Sequence, residues 1–539
     1  MIRTALVLAV FGVLTLASVL PASAQLVEWP REDPPPPLLA PDVKFPDFEL
    51  RRLDNGLQVV YVGAHEQPAV NVRLVVRAGT SSDPTLKPGL AAMTAQLLDQ
   101  GTTMRGAQEI AQTIDNIGGA MGVGAGTDLS YVNVLVLKDS FDLALDMLSD
   151  VARNPAYAQT EVDRQRQQVL SEMQVSYDDP AYVSSIVFGR LVYGDHPYGM
   201  PQSGTPQSLM RITRNDLIEF HRNHYLPNNA ILAVVGDVSA EEAFAGVARA
   251  LSDWPRGVLP TPDLTEQPPP SNRLVIVDKP GAVQTAVRVG HLALPRAHPD
   301  YLALDMAVKI LGGEGGNRLG SVLRTDRSLT YSASAEMAGR QFAGDFMAQT
   351  DTRSSATAEV LRLTVDEISR MQRERVSRRE LRRAKDYLAG HFPLTIETPN
   401  AIAAQVLEAI LFGLELDDLE RYPERINAVT EDDIQRVARK YLKPGLLSMV
   451  LVGDASTFVN DLSGVGFDSY ELVPITELDL STVDFMIAKE VAQGGEAVDV
   501  RLQASGERSR LEQRFGGWDA RYFASCDPDA SRVPILGPS

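Results

Sequence analysis

Two histidines, His221 and His224, sit three residues apart in the helical stretch DLIEFHRNH, and that spacing places two imidazoles where they could share a metal ion. No suitably spaced third ligand accompanies them, so surface or interface histidines compete with the metal reading. The run Gly312, Gly313, Gly315 and Gly316 invites phosphate binding. It lacks the Lys-Ser/Thr that closes a phosphate-binding loop and follows a helix-like run instead of a strand, so phosphate binding is disfavoured and a loop that merely ends a helix stands as one alternative. His196, in HPYG, is placed to order its own loop, while His65, His291, His298 and His391 form no ligand pattern.

The elements that must position any chemistry begin with GLAAMTAQLLDQGT, residues 89–102. Its Leu90, Met93, Leu97 and Leu98 recur at three- and four-residue spacing and predict a helix with one stripe on a core. Ahead of it, Asp54-Asn55-Gly56 divides two strand-like runs as a hairpin turn, and a strand covers Val70 to Ala78. Behind it come a helix at 108–117, a Gly-rich break at 118–126, a strand at 129–137, helices at 140–153 and 160–177, a helix through Asp216 to His224, and a strand from Ala230 to Val235.

The second half repeats the first at an offset of roughly 217 residues. HYLPNNAILAVVGD from His224 answers KYLKPGLLSMVLVGD from Lys440, the strand at Val70 answers one at Ala286, and the helix after Glu161 answers one after Glu380. The order predicts an α+β fold of two tandem similar domains, each a mainly antiparallel sheet packed with helices. They are expected at 48–254 and 272–481, joined by a Pro-rich linker at 255–271 and followed by a tail, 482–539, with no assigned role.

Charge and leader set the compartment. The 539 residues hold 51 Lys and Arg against 70 Asp and Glu, a net charge of −19 that opposes phosphate backbones and anionic lipid surfaces, so nucleic-acid binding is not expected, and no segment after the leader is long and apolar enough for stable membrane insertion. Arg3, the apolar run Ala5 to Leu20, and Ala22 and Ala24 read as a signal peptide over 1–24, followed by a Pro-rich arm over 25–47. The single Cys526 can form no internal disulfide. An exported, periplasmic protein is expected.

Several stretches, taken in order, carry a resemblance: LDNGLQVVYV, the frame of 89–102, HPYG, VVGD at 234–237, and LGGEGGNRLGSVLRTDRSLTYS. From about Phe48 to Asp454 the chain resembles the two-domain subunit of insulinase/pitrilysin-like zinc peptidases, the branch that includes mitochondrial processing peptidase. Active members carry an inverted H-x-x-E-H on the helix corresponding to 89–102. Here those three positions are Ala92, Ala95 and Gln96, and the resemblance puts a further family ligand at Glu172. Ala offers no lone pair and Gln is neither base nor good zinc ligand, so this chain alone is expected to bind no metal.

The resemblance also implies that Arg324 and Tyr331, seven apart, approach substrate: Arg can grip a peptide carbonyl or carboxylate, and a Tyr hydroxyl can donate to an oxyanion. It implies that Gly312 to Gly316 is a flexible loop facing substrate. Ser328 stands where relatives often have Gly.

These expectations describe a non-catalytic subunit of an exported two-chain zinc metalloendopeptidase, whose partner subunit bears the intact motif and the zinc, and which helps bind and position peptide. Two alternatives stay open. One is a peptide-binding or scaffold protein of the same fold, and the other is an active metallopeptidase that uses Glu172 with His221 or His224.

Overall fold

The computed structural model describes residues 44–260, 270–313 and 315–487. The expected signal peptide, the Pro-rich arm up to residue 43, linker residues 261–269 and the tail beyond 487, with Cys526, lie outside the described residues.

One compact unit, ending at Ile475, contains two six-stranded sheets. The first comprises β1 (Phe48–Arg52), β2 (Gln58–Gly63), β3 (Ala69–Val76), β4 (Ala120–Ala125), β5 (Ser130–Leu137) and β6 (Ala230–Gly236), in the order β1-β2-β6-β3-β5-β4. The second comprises β7 (Leu274–Asp278), β8 (Gln284–Ala293), β9 (Thr330–Gly339), β10 (Gly344–Arg353), β11 (Ser448–Gly453) and β12 (Glu471–Pro474), in the order β12-β7-β11-β8-β10-β9. Five strands correspond one to one, as the repeat predicts. The sixth does not: β1 enters from before its sheet and runs antiparallel to β2, whereas β12 returns from after its sheet and runs parallel to β7.

The helices that matter here are α1 (Leu90–Gln96), α2 (Ala107–Asn116), α3 (Phe141–Arg153), α4 (Gln159–Ser176), α5 (Pro180–Tyr193), α6 (Arg214–His224), α7 (Ala240–Leu251), α8 (Tyr301–Val308), α9 (Thr357–Arg373), α10 (Arg378–His391), α11 (Pro399–Leu411) and α12 (Glu431–Tyr441). Alternation along the strands sorts the first sheet into two apolar faces. Val72, Leu74, Leu232 and Val234 meet Leu145 and Leu148 of α3 and Val247 of α7. Val60, Val75, Ile231 and Val235 meet Ile402, Val406 and Leu407 of α11, a helix of the second half.

The exchange is reciprocal. Helix α5, from the first half, lies on the second sheet, where Phe188 packs so closely over Gly290 of β8 that a Cβ there would come within 2.9 Å of its ring. Arg288 of β8 donates to the Ser185 hydroxyl and the Ala181 carbonyl, both at 3.5 Å. Both lent helices start alike, with Asp179 or Thr398 capping and Pro180 or Pro399 in the first turn. Each fully buried Val, Leu or Ile contributes roughly 1.5–3 kcal/mol, so parting the halves would uncover two apolar faces at once.

Two predicted elements change. The Gly-rich stretch 118–126, expected as a break, contains edge strand β4, which pairs with β5 over Ala120–Ala125. The available ladder overrides the low strand preference of glycine. The helix expected over 89–102 ends at Gln96, and Leu97 to Thr102 continue as turns.

A second unit begins at Thr476, and its described part folds back through a bridge between Leu478 and Met486. No helix among the described residues is long and apolar enough to cross a membrane.

Candidate functional site

Helix α1 is held firmly at its start. Gly89 adopts φ +93° against the Ser203 carbonyl, where a Cβ would come within 2.8 Å, and the Asp83 carboxylate accepts from the amides of Gly89 and Ala91, each at 2.7 Å. Ala92 and Ala95 are buried, and Gln96 points outward. Its Oε1 accepts from Nε2 of Gln165 on α4 at 3.1 Å.

A second polar group lies along α4. Arg164 donates to Glu161 at 2.8 Å, to Gln168 at 3.3 Å and to Gln100 at 2.7 Å, and Gln168 donates to Glu172 at 3.0 Å. At the positions where the resemblance implies metal donors, this chain has two methyl groups, one amide already bonded to another amide, and one exposed carboxylate bonded to a third. Such a donor set does not fit zinc, which takes three or four imidazole, thiolate or carboxylate ligands. Among the described residues no three His, Cys, Asp or Glu side chains are grouped closely enough to hold a metal.

His221 and His224 serve in packing. The His221 ring stacks on Tyr225 at 4.6 Å, meets Tyr157 edge-on at 5.9 Å, and places Nε2 3.0 Å from the Ala152 carbonyl. Burial lowers its pKa to about 4. His224 lies against Phe220 at 4.4 Å and is likewise pushed down by burial.

The HPYG turn does more than order itself. His196 Nδ1 accepts from the Tyr198 amide at 3.2 Å, and the Tyr198 hydroxyl donates to Asp128 at 2.6 Å. Across the junction, the Gln341 amide donates to Asp128 at 3.0 Å and the Phe342 amide to the Tyr198 oxygen at 3.3 Å. Beside it, the Tyr193 hydroxyl donates to Asp345 at 2.7 Å, and Arg340 pairs with Asp345 at 3.2 Å while lying over both tyrosine rings, 4.7 and 5.2 Å from their centroids. Asp128, Arg340 and Asp345 carried no sequence signal.

In the second half, Arg324 rides on a π-helical segment, Gly320–Asp326, and Tyr331 opens edge strand β9. The turn between them places Ser328 at φ +52°, with its amide donating to the Arg324 carbonyl at 3.1 Å and the Leu329 amide to the Leu323 carbonyl at 2.8 Å. The chain thereby reverses, and the Arg324 guanidinium carbon stands 5.3 Å from the Tyr331 ring centroid. Both side chains are open to solvent, Tyr331 at 86% exposure.

The glycine loop abuts the same strand. Gly312 packs so tightly on β9 that a Cβ would lie 2.3 Å from the Ala335 nitrogen. Gly313 lies under the Lys309 side chain and Gly315 faces open space, while Gly316, at φ +85°, offers its carbonyl to Arg383 at 2.7 Å. A planar guanidinium and a phenol thus stand together beside one sheet edge, against which Gly312 packs, and there they can hold a peptide carbonyl or carboxylate.

Comparison with known proteins gives a consistent result. A family model described as insulinase (peptidase family M16) matches residues 58–193, and one described as peptidase M16 inactive domain matches 211–388. An uncharacterized zinc protease of Mycobacterium bovis is 28% identical over 393 residues, covering 72% of this chain and 90% of its own. The zinc protease PqqE of Helicobacter pylori is 24% identical over 405 residues, covering 74% and 91%. Among solved structures, a peptidase M16 inactive domain from Pseudomonas fluorescens superposes with a TM-score of 0.72 at 27% identity, over 76% of this chain and 98% of that one. A protease from Helicobacter pylori does so with a TM-score of 0.70 at 23% identity, over 76% and 99%, a likeness of fold.

Proposed function

Because the chain belongs to the insulinase-type peptidase family M16, we propose that it is the non-catalytic subunit of an exported two-chain zinc metalloendopeptidase. In this reading a partner subunit carries the intact H-x-x-E-H and the zinc, and this chain helps bind and position the peptide. The observation that carries the proposal is the asymmetry within one chain: Arg324 and Tyr331 stand together and exposed, while Ala92 and Ala95 put methyl groups where relatives place donors. A catalytic site abandoned wholesale gives no reason for the exposed pair.

The division of work follows from the side chains. Arg324 holds a carbonyl or carboxylate through its planar fork, and the Tyr331 hydroxyl donates to the oxygen that gains charge as a scissile carbonyl is attacked. Bond cleavage itself belongs to the partner. Zinc protease relatives such as those of Mycobacterium and Helicobacter give the reaction class its support.

Co-expression with a motif-bearing subunit from the same genome tests it. A co-purifying pair, with peptide hydrolysis that requires both chains and a chelator-sensitive metal held by the partner, is expected. Tight peptide binding with no effect on the partner's turnover assigns the chain instead to peptide binding or scaffolding.

A further inference from the structure

In a chain of net charge −19, residues 370–385 hold eight Arg or Lys against two Glu. They form the end of α9 and the start of α10, and four of them, Arg370, Arg375, Arg379 and Arg383, border a cleft of about 530 Å³ whose far wall, Ser321, Val322 and Asp326, is the back of the helical segment that carries Arg324; Arg382 lies on the same helix just outside the cleft. Some of these cations are already engaged: Arg370 with Glu367 and Glu374 at 2.6 and 2.9 Å, and Arg375 with Asp432 at 2.8 Å. Others are not. Arg379 and Arg382 are exposed and form no ion pair with any described residue. In the cleft wall Arg318, its side chain 11% exposed, pairs through Nε with Glu380 at 2.7 Å but leaves Nη1 buried without an acceptor. A buried guanidinium N–H without an acceptor is destabilising, and a carboxylate oxygen brought into the cleft would supply the missing acceptor.

We propose that this cleft is a docking site for an acidic segment of a protein partner, one that presents carboxylates singly along an extended or helical stretch. Three observations select that occupant over other anions. The cations are interleaved with Asp326, Glu367, Glu374 and Glu380, which repel a dense polyphosphate but leave gaps for separate carboxylates. Arg379 and Arg383 stand one helical turn apart, about 6 Å along the axis, close to the spacing of alternate side chains on an extended peptide. The surface is a narrow stripe on an acidic protein, unsuited to a flat anionic bilayer or a nucleic-acid backbone. The inference does not depend on the peptidase reading, because it rests on a surface separate from Arg324 and Tyr331.

Fluorescence anisotropy on the full chain tests it, with a labelled peptide of alternating Glu and Ala as probe. Its Gln-for-Glu counterpart, inorganic pyrophosphate and phosphatidylglycerol vesicles serve as competing arms. The expected result is saturable binding of the acidic peptide that weakens as salt rises, no binding of the Gln peptide, and at least a tenfold loss in Arg379→Ala/Arg382→Ala, whose circular dichroism is unchanged because neither residue is paired. Absence of binding at low salt, undiminished binding in the double variant, or equally strong competition by pyrophosphate or vesicles would overturn the proposal.

Discussion

The guanidinium carbon of Arg324 stands 5.3 Å from the ring centroid of Tyr331, and the two are brought together by a turn whose Ser328 holds φ at +52°. A left-handed conformation costs an L-residue roughly 1–2 kcal/mol, a penalty glycine escapes. Ser328→Gly is therefore expected to raise stability by about 0.5–1 kcal/mol in denaturant unfolding and to leave the pair in place. Ser328→Val, β-branched at the same backbone angle, should lower it by at least as much.

Gly312 has no room for a side chain. A Cβ placed 2.3 Å from the Ala335 nitrogen meets backbone, which cannot move aside without disturbing β9. Gly312→Ala is expected to cost about 2 kcal/mol or more, whereas Gly315→Ala, facing open space, should cost well under 1 kcal/mol. Chemical denaturation of the two variants side by side distinguishes them.

The junction network predicts coupling between residues 70 positions apart. Tyr198→Phe removes the hydrogen that Asp128 accepts and the oxygen that Phe342 donates to, and is expected to cost about 1–3 kcal/mol. In a double-mutant cycle with Asp128→Asn the two changes should be non-additive by more than about 0.5 kcal/mol. Strict additivity would show that the HPYG turn merely orders itself.

His221 gives the fold a sensitivity to acid. Its folded pKa, near 4, lies below the ordinary histidine value, so the unfolded chain binds the proton first as pH falls. The stabilisation is fully present above about pH 6.5 and is lost as pH falls through 4, amounting to on the order of 2–3 kcal/mol. Unfolding free energies measured from pH 7 to 4 should show this slope in the native chain and a reduced slope in His221→Gln.

How far the sequence carried depended on whether a signal was local. The two-domain repeat was legible because its strands and helices recur at a nearly constant offset, and the Asp54-Asn55-Gly56 hairpin turn stands where it was expected, with Gly56 at positive φ. Helices α5 and α11 were not read. Each is apolar on several sides, because it serves its own half and the sheet of the other, so the amphipathic period that reveals α3 is blurred.

Strand β4 was hidden for a different reason. Its glycines signal a break, and only the ladder with β5 makes it a strand. In the site, Ala92, Ala95 and Gln96 could be set against the family pattern from the sequence alone. The polar contacts there, Gln96 with Gln165 and Gln100 with Arg164, join residues up to 69 positions apart and have no one-dimensional signature.

If this chain lends substrate-holding groups to a metal site carried by another subunit, the turnover number of the reconstituted pair depends on those groups. With Tyr331→Phe in this chain, kcat for peptide hydrolysis is expected to fall by about 10²-fold, the cost of one oxyanion donor, while the pair still assembles and the partner keeps its zinc. An unchanged kcat in both Tyr331→Phe and Arg324→Ala, or chelator-sensitive hydrolysis by this chain alone, would contradict it.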